Sequence, residues 1–404
     1  MSISAIRPGI LQVVPSLEEG TAARAILATA KLLAAEGWRS CVASAGGPLV
    51  RELVAHGSAH VTASIESSNP LTLSTNLAKL VKAIREHKVE LVHAHSRAAA
   101  WSASFAARRA GAAFVTSFET AYAGGEGGLK KRYNAVLAQG ARIIANSEYL
   151  AEHISKTYDV EPARLRIVRQ GIDLEAYDPA KMRGHRMAKL HERWQLGLER
   201  RIVLLPGRVV RGRGHLAMLD AMQRLARDDF VLLILGDLDP ADAYVRELES
   251  RVRSSGLAKR VHFASGGDDL PAAYALADLV VMPAAADATD VDAVPAIEAQ
   301  AMGKPVILGN VGALGEAVLP AATGWLVAPG DIDELAWSLD RALAMEKPTL
   351  ERLAERARSF VMREYSTEQS ARRTIAVYRE LVRNAPRPNL PEPVVERLAI
   401  PQVD

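Results

Sequence analysis

Short β-branched runs alternate along the chain with Ala- and Leu-rich segments of helical period. Such alternation predicts parallel sheets with crossover helices, because strands buried on both faces read as continuous apolar runs. In the first half, strands are predicted at ILQVV, SCVAS, VELVHAH, AAFVTS and ARIIAN, with helices between them, for example over 71–86 and 96–110. A further strand, RIVRQ, runs into the turn Gly171-Ile172-Asp173, and a polar, basic segment follows over 181–200. The pattern then restarts with RIVLLPG, FVLLILGD, RVHFAS, DLVVMP, PVILGN and GWLVAP. Two such series predict an α/β protein of two Rossmann-like, doubly wound domains facing each other across a cleft. The expected division is 1–198 and 199–364, then a helix over 365–384 returning to the first domain, then a Pro-rich extended tail over 385–404.

Composition narrows the function. A chain of 404 residues exceeds one ordinary core, and 49% hydrophobic with 24% charged residues marks a globular protein. The net charge of +3 and 5% aromatic content do not point to nucleic acid. One cysteine, Cys41, leaves no disulfide framework or thiolate metal site and fits a reducing compartment. The N-terminus does not read as a signal peptide, and no stretch reaches the roughly 20 apolar residues that span a bilayer. A cytoplasmic protein is expected, with a peripheral seat on the membrane face left open.

The restart of the pattern carries most of the chemistry. Strand RIVLLP runs into Gly207-Arg-Val-Val-Arg-Gly-Arg-Gly214 and then the helix HLAMLDAMQRLA. A glycine-rich turn at a helix N-terminus offers free N–H groups and a favourable dipole to an anion. Arg208 and Arg213 add charge-assisted donors suited to a diphosphate. Three arginines on a solvated loop are the plain alternative, which the position between strand end and helix start disfavours. Within the loop, Gly212-Arg-Gly-His-Leu-Ala217 matches a dinucleotide fingerprint, but Gly207–Arg211 separates it from the strand, so a nicotinamide enzyme is the weaker reading. Asp290 falls in the loop after DLVVMP, at the ligand-binding sheet edge. Pro295 starts a helix carrying Glu298, whose position suits a ribose ligand and a helix cap equally. Gly312-Ala-Leu-Gly-Glu316 forms another strand-to-helix junction. His93 and His95 stand open between acceptor contacts and strand-end hydrogen bonds. Lys130-Lys131-Arg132 reads as a solvated helix start or as a patch for an anionic membrane or acidic acceptor. Trp101, Tyr133 and Trp337 are expected to pack within the domains.

Taken in order, GR-x4-R-G, D-x7-E-A-x-A-M-G-x-P-V, G-x-x-E and TGWLV-x-PGD resemble the retaining glycosyltransferases of family 4 ("group 1"), which have the two-domain GT-B fold. VHAHSR, ANS at 145–147 and QGIDLEAYDP also resemble that family, and the likeness covers roughly 8–384. VHAHSRAAAW is most similar to bacterial enzymes of lipopolysaccharide or other surface glycans. The resemblance implies transfer of a sugar from a nucleoside diphosphate to a glycan or lipid-linked acceptor, without metal or cofactor. It assigns the donor to Gly20, Thr21, Arg208, Arg213, Asp290, Val294, Glu298, Gly312 and Glu316. It gives catalytic roles to Arg208, Arg213, Asp290 and Glu119, and acceptor contacts to His93, His95 and Arg97. Several positions depart from the family pattern. Thr21 replaces a glycine, Glu119 stands where a histidine is usual, Asp290 shortens a glutamate, Asp292 replaces an aromatic residue and Arg213 replaces a lysine. These departures imply either altered donor use or a catalytically weakened homologue serving as a nucleotide- or glycan-binding partner.

Overall fold

The computed structural model describes residues 7–66, 70–122, 128–196, 200–225, 227–265, 269–288 and 291–382. The expected tail over 385–404 lies outside them. The first unit runs β1 (Gly9–Val13), α1 (Thr21–Ala35), β2 (Arg39–Ser44), α2 (Val50–Ala55), β3 (Ala59–Thr62), α3 (Pro70–Glu86), β4 (Val89–Ala94), α4 (Arg97–Ala110), β5 (Ala113–Phe118), α5 (Gly128–Asn134), β6 (Arg142–Ala145), α6 (Glu148–Tyr158) and β7 (Leu165–Ile167). The second runs α7 (Gly184–Arg193), β8 (Arg201–Pro206), α8 (His215–Arg224), β9 (Phe230–Gly236), α9 (Ala243–Ser254), β10 (Val261–Ser265), α10 (Leu270–Leu276), β11 (Leu279–Met282), α11 (Val294–Ala301), β12 (Val306–Gly309), β13 (Gly324–Val327) and α12 (Ile332–Leu343). Helices α13 (Lys347–Glu364) and α14 (Thr367–Arg379) follow.

Each series of strands forms one parallel sheet. The orders are β3-β2-β1-β4-β5-β6-β7 and β10-β9-β8-β11-β12-β13. Chain direction across each sheet reverses once, between β1 and β4 and between β8 and β11. Ligands bind beyond the carboxyl ends of strands at such reversals. Strand β3 was not expected from the sequence. Its four residues, three half-buried and one exposed, sit at a sheet edge and give too short a run to show a pattern.

One feature shifts the expected division. Residues 172–196 fall on the first-domain side of a boundary at 198. Yet Ile172, Leu190 and Leu196 pack into the second core with Leu204, Val280 and Phe360. Arg186 on α7 holds Asp269 at the start of α10 through two hydrogen bonds of 2.7 and 2.5 Å. The polar face of α7 hid that allegiance in the sequence. Trp337 is a second correction: 57% of it is exposed, with Arg341 over its ring, and Tyr133 is 45% exposed.

Helix α14 leaves the second unit and packs on α1. Ile375 and Tyr378 enter the core with Ile10, Leu33, Leu91 and Ile144. Glu380 beyond it pairs with Arg142 and Arg166, beside β6 and β7, at 2.6 and 2.7 Å. The Tyr378 hydroxyl meets His93 Nδ1 at 2.7 Å, fully buried. Replacing Tyr378 by Phe leaves that nitrogen without a partner, and is expected to cost about 1–3 kcal/mol of stability. Urea titration checks this: the midpoint should fall at unchanged slope.

Candidate functional site

Strand β8 feeds the predicted anion loop at the reversal of the second sheet. Gly207, Gly212 and Gly214 have φ of 111°, 92° and 80°, which L side chains resist. A Cβ at Gly214 would also lie 2.8 Å from Ala284 N. The glycines therefore let the loop turn tightly against the β11 loop. The fold separates the three arginines. Arg211 pairs with Glu247 and covers the Tyr244 ring, away from the cleft. Arg208 and Arg213 line the cleft, Arg208 exposed and Arg213 8% exposed with Nη1 donating to Asp292 O at 3.4 Å. Next to the loop, burial first and the Arg213 charge second push His215 down to about 4.

Helix α11 and the residues leading into it supply the adjoining wall through Val291, Ala293, Val294 and Ile297. Asp290 lies outside the described residues. Asp292 accepts from Val294 N at 3.0 Å, so an acid sits just before this helix start and borders the space an anion would use. Glu298 does not line the cleft. It is 7% exposed, one turn behind Val294, and accepts from the Tyr274 hydroxyl at 3.0 Å and from Tyr177. Burial raises its carboxyl above the usual range, and the two hydroxyls partly offset this.

Gly312 begins a short 3-10 helix that runs to Ala317. Ala313 and Glu316 reach the cleft; Gly312 itself does not. The Glu316 carboxylate crosses to the other domain, where its oxygens accept from Glu148 N at 2.9 Å and Tyr149 N at 2.7 Å. Together with the Ser147 hydroxyl, which accepts from Leu150 N, it caps the start of α6. Arg169 lies 3.8 Å from the same carboxylate.

The first domain faces this wall with Glu119, Asn146 and Gln170, which border both the cleft and a smaller recess behind it. Glu119 keeps solvent contact along the cleft. Partial desolvation by the surrounding protein still holds its carboxyl above the usual range. The recess is lined also by His93, His95, Thr29, Ser117 and Thr374. His93 has both nitrogens engaged, by Tyr378 and by Ser117 Oγ at 2.8 Å. His95 Nε2 is buried with no hydrogen-bond partner, and burial pushes its imidazole down to about 4. Gly20 and Thr21 start α1 but line neither space; α1 reaches the recess through Ala22, Ala25, Ile26 and Thr29. Arg97 also lies outside both, its Nη1 donating to Asn134 at 3.1 Å and its guanidinium over the Tyr122 ring at 4.2 Å.

The fold thus brings Arg208, Arg213, Val294, Glu316 and Glu119 into one cleft between the domains. Sequence reasoning missed Tyr149, Gln170 and Tyr365, which complete the lining. Gln170 follows β7 at the productive sheet edge and was findable on that ground; Tyr365, between α13 and α14, carries no such signal. Among the described residues no group of three or more His, Cys, Asp or Glu side chains is placed to hold a metal ion.

Comparison with known proteins gives the following matches. The family model "Glycosyl transferases group 1" matches residues 187–360, and "Glycosyltransferase Family 4" matches 22–176. A D-inositol 3-phosphate glycosyltransferase of Mycobacterium sp. (strain JLS) is 31% identical over 230 residues, covering 56% of this chain and 50% of that protein. The match thus spans about half the length of such curated relatives. Among solved structures, a glycosyltransferase from Rickettsia africae ESF-5 has a TM-score of 0.80 at 26% identity, covering 94% of this chain and 99% of its own. Anabaena HepE in complex with UDP has a TM-score of 0.74 at 20% identity, covering 93% and 100%, which speaks to fold alone.

Two expectations come from this geometry. A carboxyl with a raised folded pKa stabilises only while protonated, and that contribution is lost as pH rises through the folded value. Glu119→Gln should therefore raise the melting temperature over wild type at pH 8, by a margin that closes towards pH 4. A margin independent of pH in thermal scans would reject the desolvated carboxyl. Glu316→Ala should speed hydrogen exchange at the Glu148 and Tyr149 amides by about 10–100-fold, the loss expected for hydrogen bonds to a charged group. Amide exchange read by mass spectrometry or NMR measures it.

Proposed function

This chain belongs to the group 1 glycosyltransferases of family 4 and has their GT-B fold, and from that premise we propose that it transfers a sugar from a nucleoside diphosphate. The observation that carries the reading is the position of Arg208 and Arg213. They converge on one cleft at the β8/β11 reversal, opposite Glu119, Asn146 and Gln170 of the other domain. A diphosphate there would meet two guanidinium groups and the glycine loop, which together take up leaving-group charge without a metal. Stereochemistry is proposed to be retaining. The acceptor hydroxyl attacks the anomeric carbon from the face the diphosphate leaves. The C–O bond to the diphosphate breaks, and a departing phosphate oxygen receives the hydroxyl proton.

The acceptor is proposed to be a glycan or lipid-linked glycan of the bacterial surface, in lipopolysaccharide or a related polymer, reached on the cytoplasmic side of the membrane. The VHAHSRAAAW segment supports this reading. The mycobacterial relatives' name points to an inositol phosphate acceptor for those proteins, which makes a small polyol phosphate the second candidate here. A catalytically weakened, nucleotide-binding homologue is the alternative that Glu119 and Asp292 favour, since both put negative charge beside a diphosphate site.

Calorimetry with UDP, GDP and ADP, followed by turnover with the matching sugar donors, tests the proposal. One nucleotide should bind, and Arg213→Ala should lower transfer by about 10²–10³-fold, as for loss of one preorganised donor to developing charge. Proton NMR of the product should show the donor's anomeric configuration kept. Nucleotide binding without turnover would select the weakened homologue, and tight NAD binding in place of all three nucleotides would reject the whole reading.

A further inference from the structure

The glycines that let the anion loop turn also leave it free to turn elsewhere, so other contacts must fix where its arginines point. Backbone bonds hold its two ends. Gly207 N donates to Leu235 O on β9 at 3.0 Å, and Gly212 O accepts from Ala285 N, beyond β11, at 2.9 Å. Between these anchors run two bonds internal to the loop, Val210 N to Arg208 O at 3.0 Å and Arg213 N to Val210 O at 3.4 Å. Internal bonds give the turn its shape but do not set its direction relative to the cleft. Side chains of the same stretch do reach beyond the loop. Val209 is buried in the core that holds Met218, Tyr244 and Val245, and Arg211 lies on helix α9.

The start of α9 is arranged to receive Arg211. Asp242 caps the helix by accepting from Tyr244 N at 2.7 Å, which fixes the first turn. Tyr244 and Glu247, three residues apart, share one face of it. Glu247 accepts a hydrogen bond from the Arg211 guanidinium, which also lies 5.0 Å from the centre of the Tyr244 ring. The same ring meets His215, the first residue of α8, edge-on, with centroids 5.8 Å apart and the hydroxyl 3.5 Å from Nδ1. His215 is fully buried. One ring therefore touches the loop before Gly212 and the helix after Gly214. Arg208 and Arg213, which line the cleft, flank Arg211 in sequence. A solvated ion pair is the plain explanation of Arg211 and Glu247, since exposed pairs contribute little. It does not account for the ring beneath the guanidinium, or for that ring's contact with His215.

We infer that Tyr244 and Glu247 are positioning residues for the donor diphosphate: by holding Arg211 on α9, they keep Arg208 and Arg213 turned into the cleft. The inference rests on the binding of a nucleoside diphosphate proposed above for those two arginines. Neither α9 residue lines the cleft. They act through the loop, by raising the fraction of molecules in which it is in place before a ligand arrives. Apparent affinity scales with that fraction. The competing role for Arg211 is a third cation for the diphosphate, restrained by Glu247 until the donor enters. The two roles make opposite demands on Glu247. Losing an anchor weakens binding, whereas losing a restraint strengthens it. The geometry favours the anchor, because a swing towards the cleft would give up the ion pair and the ring contact together.

Calorimetry of the full chain with UDP, GDP and ADP, repeated on Arg211→Ala and Glu247→Gln, tests it. The two side chains are 66% and 40% exposed, so the melting temperature should be unchanged in both variants. Arg211→Ala should weaken binding of the preferred nucleotide by about 3–10-fold, the scale of an exposed ion pair and a cation–π contact together. Glu247→Gln, which removes only the ion pair, should weaken it by about 2–5-fold. The donor KM should rise by the same factors, and Arg211→Lys should retain most of the affinity. Without any ligand, amide exchange at Val210 and Arg213 should quicken in Arg211→Ala. Tighter binding by Glu247→Gln would make Arg211 a third cation and overturn the inference. So would unchanged affinity in both variants, or a loss of affinity matched by a fall in melting temperature, which marks a general structural role. If the unaltered chain binds none of the three nucleotides, the transferase reading fails, and exchange then decides the brace by itself. Quickened exchange would support the brace and place the fault in the proposed transferase function, whereas unchanged exchange would reject both.

Discussion

Two parallel sheets can share a cleft only if their carboxyl edges are held at a fixed separation, and the Glu316 carboxylate is the most direct link that holds them. A helix N-terminus has orphan amides and a partial positive charge. Here the start of α6 in one domain satisfies them with an acid from the other. The contact therefore does two things at once: it completes a helix and sets the width of the cleft. Arg169 adds charge to the same carboxylate and also lies 3.7 Å from Glu364, so the link extends to the segment where the chain crosses back. That amide site is otherwise a natural place for an anion. Glu316 thus shapes the cleft by occupying a position that a ligand would also favour, rather than by facing a donor freely.

Charge inside the cleft is divided. Arg208 and Arg213 favour a diphosphate; Glu119 and Asp292 oppose one. The two acids are not equivalent. Asp292 has an internal role, since its side chain accepts from Val294 N and so starts α11. Among the described residues Glu119 has no such side-chain hydrogen-bond partner, and desolvation shifts its carboxyl upward. A neutral carboxylic acid can donate a hydrogen bond to a phosphate or hydroxyl oxygen, where a carboxylate would repel the phosphate. An acid at this position is therefore easier to reconcile with a diphosphate when it is protonated. A bound diphosphate would favour that state further.

Most of the architecture was legible because each strand of a two-sided parallel sheet is a plain apolar run. Eleven of the thirteen observed strands, from ILQVV at β1 to GWLVAP at β13, need nothing more, and β7 was visible through the turn that follows it. Strand β3 was not, since a short half-buried edge strand has no apolar run to read. The allegiance of α7 was hidden for a related reason: its contacts with the second domain rest on Leu190 and on an Arg186–Asp269 pair that only tertiary structure creates. In the site, the glycine loop was readable because backbone with positive φ demands glycine. Which of its arginines faces the cleft was not, because Arg211 is drawn away by Glu247 and Tyr244, both distant in sequence. The enclosure of Glu298 by Tyr177 and Tyr274 was invisible for the same reason.

The returning helix ties these parts together. Tyr365 lines the cleft, and its hydroxyl donates to Glu316 O at 3.1 Å; α14 begins two residues later. Thirteen residues beyond Tyr365, Tyr378 fixes the ring of His93, which borders the recess and lies with its centroid 3.8 Å from that of His95. One stretch of chain thus touches the interdomain link at its start and the inner recess near its end. Burial keeps both histidines neutral near pH 7, so this packing imposes no like-charge repulsion. A change in domain separation at Glu316 would be felt first at Tyr365, and the α14 packing on α1 would carry it towards the recess only as far as that helix moves as a rigid body. Ile375 and Tyr378 are fully buried against the first sheet. The chain crosses between the domains at two places, near 168–172 and 365–366, where Ile172 and Ser366 form a single bridge.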